Sequence, residues 1–182
     1  MKTPEKNKFK IRFIDVVFII ILALSIQFIA NSSSFWGYVQ FAVIYLIFID
    51  YWFETNSSKG KEKHDDYELF IDFGVIVLIF STVYFAVLES YAFYIAFAFF
   101  FLIDAVSTYI EYKVMKEDVW RIWKKMWVTN DIIMCVVLST LGILVQEGLM
   151  SNMFAFITMS VLYFFLRGYV SYKTKIRFTY FN

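Results

Sequence analysis

YAFYIAFAFFFLIDAVSTYIEY, residues 91–112, decides the fold. Thirteen residues pass without a charge before Asp104, and the apolar character then resumes around Ser107, Thr108 and Glu111. A helix that crosses a bilayer needs about 20 mostly apolar residues, and this stretch supplies them. Five more do the same, at about 13–31, 36–53, 67–88, 128–146 and 152–172. The composition agrees: 60% of the chain is hydrophobic, 23% aromatic and only 18% charged. A soluble domain is about a quarter charged. One proline and six glycines leave the apolar runs almost unpunctuated.

Short turns join the segments in pairs, at NSSS (31–34), LESY (88–91) and QEGLMSN (146–152). Longer polar stretches separate the pairs. All 17 Lys and Arg residues fall before or at the start of the first segment, in 54–66, in 113–127, or in the C-terminal stretch from Arg167 onward. None lies in a short turn. Basic residues are retained on the cytoplasmic side. The expected architecture is therefore an all-α integral membrane protein, one transmembrane domain over residues 1–182. It has six transmembrane helices in three helical hairpins, with both termini and both long loops in the cytoplasm of a cell inner membrane. Tyr and Trp fall near both ends of the spans, as interfacial belts do. The first apolar run has a basic flank but no small-residue cleavage site, so it reads as a span rather than a leader.

In VMKEDVWRIWKKMW (114–127), Val119, Trp120, Trp123, Met126 and Trp127 fall on one helical face, with Arg121, Lys124 and Lys125 on the other. That pattern predicts a cytoplasmic-side amphipathic helix in the interface. Its tryptophans would anchor in the acyl boundary and its basic groups would face anionic lipids.

The hairpins share a charge pattern. Asp15, Asp72 and Asp131 lie just inside the first helix of each, 57 and 59 residues apart, and Asp50, Asp104 and Arg167 lie on the second helices. A duplicated hairpin would produce this, as would three hairpins of similar length. Asp104, Ser107, Thr108 and Glu111 follow i, i+3, i+4, i+7 and so form one stripe. Ser160, Tyr163, Arg167, Ser171 and Thr174 form another. A charge near the centre of a spanning helix costs about 2.5–3.5 kcal/mol, so Asp104 and Arg167 are expected inside the bundle and paired with each other. The remaining acids fit either a register-setting polar network or a cation pathway.

Catalysis has little material. Cys135 is the only cysteine and His64 the only histidine, the latter in a loop beside Asp65 and Asp66. No Gly-rich phosphate loop and no separated metal ligands appear. We expect no enzyme, no cofactor, no metal site and no direct nucleic-acid binding. The reading that remains is a non-catalytic sensor, anchor or regulatory subunit of a membrane assembly, as occurs in bacterial stress and defence systems. It would associate with itself or with a cytoplasmic protein. The alternatives are an oligomeric cation channel with an acidic inner vestibule, and, on size and span count alone, a small-molecule-binding subunit of a larger transporter.

Overall fold

The structure, a computed structural model, describes residues 19, 20, 23, 35–58, 67–115 and 118–174, without the side chains of 53–58, 67–70 and 72. The first expected span, with Asp15, and the loop carrying His64 lie outside the described residues, as does the side chain of Asp72.

Among the described residues the chain is all helical: α1 (Phe35–Ser58), α2 (Tyr67–Val87), α3 (Ala92–Val114), α4 (Asp118–Gln146) and α5 (Asn152–Thr174). Four of them (α1, α3, α4 and α5) are long and apolar enough to cross a membrane, while the apolar part of α2 is the shorter Phe73–Val87. Uninterrupted helices are what an apolar solvent demands, because every backbone N–H and C=O must be satisfied within the segment. Hydroxyl side chains in the apolar runs follow suit. Thr82, Ser139, Thr140, Thr158 and Ser160 each donate to the carbonyl four residues back, at 2.7–2.9 Å.

The two short turns end their helices in the same way. After α2, the Ser90 N–H donates to the Phe85 carbonyl and the Glu89 N–H to Ala86; after α4, Leu149 donates to Leu144 and Gly148 to Val145. This is the Schellman pattern, which needs a left-handed residue just past the helix. Gly148 takes it at φ 68, and Glu89, a non-glycine, takes it at φ 50. Asn152 ties the turns together: the Tyr94 hydroxyl donates to its Oδ1 at 2.7 Å, and its Nδ2 donates to the Glu89 carbonyl at 3.2 Å.

α3 is the hub. Its buried side chains Phe93, Tyr94, Phe97, Phe100 and Phe101 are each 2% exposed or less. They reach α1 and α5. Phe48 of α1 meets Phe97 and Phe100 at centroid separations of 5.8 and 5.5 Å, and Phe156 and Tyr163 of α5 meet Phe93 and Phe101 at 5.9 and 6.1 Å. Such aromatic pairs contribute about 0.5–1.5 kcal/mol each beyond area burial. The most extensive helix contact is α3 against α4, across the longer connection, rather than within either short-turn hairpin. Gly142 permits it. A Cβ there would lie 2.9 Å from Ile95 Cδ1 and 3.2 Å from Tyr94 Cβ, so the two backbones approach more closely than a side chain would allow.

One expectation is corrected here. Residues 118–127 are not a separate interfacial helix; they run without a break into the span as the first turns of α4. Twenty-nine residues at about 1.5 Å each reach about 44 Å, longer than the roughly 30 Å hydrocarbon core of a bilayer. Trp123 and Trp127 are buried with Val170 of α5, and Lys124 is 3% exposed. These tryptophans face protein.

Candidate functional site

Among the described residues, the end of the bundle opposite the short turns holds two constellations of buried charge. The first joins α1 to α5. Arg167 Nη2 donates to Asp50 Oδ1 at 2.9 Å, while its Nε makes a close charge contact with Oδ2 at 2.7 Å. The Tyr163 hydroxyl, one turn earlier on α5, donates to the same Oδ2 at 2.9 Å. The guanidinium plane lies over the ring of Trp127 of α4, 4.6 Å from its centroid. Both charged side chains are nearly enclosed, at 11% and 12% exposure. A charge-assisted hydrogen bond, a second close charge contact, a further donor and an aromatic face together help an enclosed pair offset its desolvation.

The second constellation joins α3 to α4. Lys124 pairs with Glu111 and lies over the Trp123 ring at 5.3 Å. Asp104 stands two turns before Glu111 on the same face of α3. Thr108, between the two acids on the stripe, is 4% exposed, and Ser107 is half-buried. Nearby on α4, Asp131 is 1% exposed and Asn130 donates to the Leu166 carbonyl of α5 at 3.5 Å.

The pairing expected between Asp104 and Arg167 is not formed. Arg167 is nearly enclosed and takes Asp50, while Asp104 is half-buried and makes no ion pair among the described residues. Helix depth constrained both candidates equally; which helix is the neighbour separated them. The reading of Lys124 as a headgroup-facing group is corrected with it. Arg121 and Lys125 are exposed and Trp120 is half-buried. The signal for Lys124 was available: stepping back from the buried Leu141, Leu138, Met134 and Asp131 by three and four residues reaches Trp127, then Lys124. That is the core stripe of α4 continued. Asn130 carried no comparable mark.

No group of three or more His, Cys, Asp or Glu able to hold a metal ion occurs among the described residues. Comparison with protein-family models, curated proteins and solved structures found no match.

Proposed function

We propose that the chain is a non-catalytic membrane module, an anchor or regulatory subunit, with six spans in three hairpins and both termini on the cytoplasmic side of a cell inner membrane. The observation that carries this reading is the contrast between consumed charge and closed core. The enclosed ion pairs Asp50–Arg167 and Glu111–Lys124 each link two helices. Above them the interior is packed with Phe48, Phe97, Phe100, Phe101 and Phe156. A conduction route presents polar groups through the membrane depth; an interior plugged by aromatic rings suits a rigid platform. Its charged end, around the connection between α3 and α4, is the surface offered to a cytoplasmic protein or to a second copy.

The test is ion flux in liposomes carrying the purified protein, beside an Asp104→Asn variant. The module gives tight vesicles in both cases. Flux that falls with the substitution would replace this reading with the cation channel. Topology is tested separately: cysteines replacing Ser33 and Ser58 should label from opposite faces of the membrane, and labelling from one face would remove the six-span arrangement.

A further inference from the structure

We infer that the corner between α3 and α4 is a binding site for an anionic phospholipid, built from Lys113, Tyr109, Tyr112 and Arg121; the inference rests on the membrane reading above. Lys113 Nζ stands 5.2 Å from the Tyr109 ring centroid, and the Arg121 guanidinium stands 5.2 Å from that of Tyr112. The two tyrosine rings are neighbours, 6.2 Å apart. Two cations from different helices are thereby brought to the ends of one aromatic pair. Neither is in an ion pair among the described residues, although Asp118 stands one turn before Arg121. The acid that could have neutralised this corner, Glu111, is turned to Lys124.

The surface below it fits an acyl chain. Phe99, Leu102, Val106 and Tyr109 are 53%, 44%, 51% and 48% exposed. With Lys113 they follow one face of α3, at i, i+3, i+7, i+10 and i+14. An apolar track that ends in two phenols and two cations matches an anionic lipid along its length: chain on the track, phosphate at the cations, hydroxyl groups between them. Lys173 makes a useful contrast. It also lies over a tyrosine, Tyr169, at 5.9 Å, but no second cation shares that ring among the described residues.

The experiment uses the full-length protein reconstituted in vesicles of phosphatidylcholine with phosphatidylglycerol. Flotation is read first, and retained lipid is then measured by native mass spectrometry. Wild type should retain phosphatidylglycerol over phosphatidylcholine by about tenfold. The double variant Lys113→Gln/Arg121→Gln should lose that preference, and Lys173→Gln should keep it. Equal retention by wild type and the double variant would overturn the site, as would equal loss in Lys173→Gln, which would mean diffuse attraction to total charge. A chain that does not float with vesicles fails the membrane reading instead. One that floats without lipid preference fails only this inference.

Discussion

The two ends of the bundle are held by different physics. At the turn end, backbone geometry dominates: two Schellman turns and an asparagine clamp, above a core of close-packed rings. At the opposite end, side-chain charge dominates, with Asp50–Arg167 and Glu111–Lys124 each bridging two helices. Short-range rules govern the first end, so its sequence signals are local. Pairings between helices distant in the chain govern the second, where several acids compete for few cations. The lesson is that depth and periodicity place a charge inside the bundle without choosing its partner.

The largest effect is expected from breaking the α1–α5 pair. Arg167→Ala leaves Asp50 enclosed without its cation and should destabilise the protein by about 3–5 kcal/mol, read as loss of folded protein in a detergent melt. A double-mutant cycle sharpens the comparison. Asp50→Asn with Arg167→Gln should show strong coupling, and Asp104→Asn with Arg167→Gln almost none. Coupling of the second pair equal to the first would overturn the partner assignment.

The α3–α4 pair comes next. Lys124→Ala should cost about 3 kcal/mol, while Lys124→Met with Glu111→Gln should recover much of that loss, since a neutral pair of similar volume carries a smaller desolvation penalty than an unpaired charge. A double variant no better than the single would mean that the ammonium is needed for Asp104 rather than for Glu111. Gly142→Val probes the packing between the same helices, and overfilling it should cost about 1–3 kcal/mol. An unchanged melting temperature would show that α3 and α4 can separate freely.

The smallest effect belongs to the turn end. Glu89→Gly removes the left-handed strain of a side-chain-bearing residue at the cost of a freer unfolded chain. The expected result is a gain of less than about 1 kcal/mol, seen as a slight rise in melting temperature. A clear loss would mean that the Glu89 side chain holds the turn by its own contacts.

The helices were legible because their cause is local. The apolar runs at 36–53, 67–88, 91–112 and 152–172 correspond closely to α1, α2, α3 and α5, with α1 extending five residues further to Ser58. The stripe from Asp104 to Glu111 and the stripe through Tyr163 and Arg167 were legible too, since helical spacing alone puts each on one face. The join at 127–128 was not. The drop in polarity there looks like a boundary, but polarity changes along a helix whenever one part packs against protein and another meets lipid, and the backbone need not break.

The sequence by itself determined the helical character of the described residues and the near positions of four helices long and apolar enough to cross a membrane, because an apolar solvent leaves backbone groups few alternatives. Only the tertiary structure decided that α3 is the hub, that α4 begins at Asp118 and that Lys124 faces inward. It also decided that Arg167 takes Asp50 rather than Asp104. Those outcomes depend on which helix lies beside which, and neighbours are chosen by the fit of whole surfaces: Gly142 against Ile95, Phe48 against Phe97, Trp127 against Arg167. No window along the chain contains both sides of such a contact.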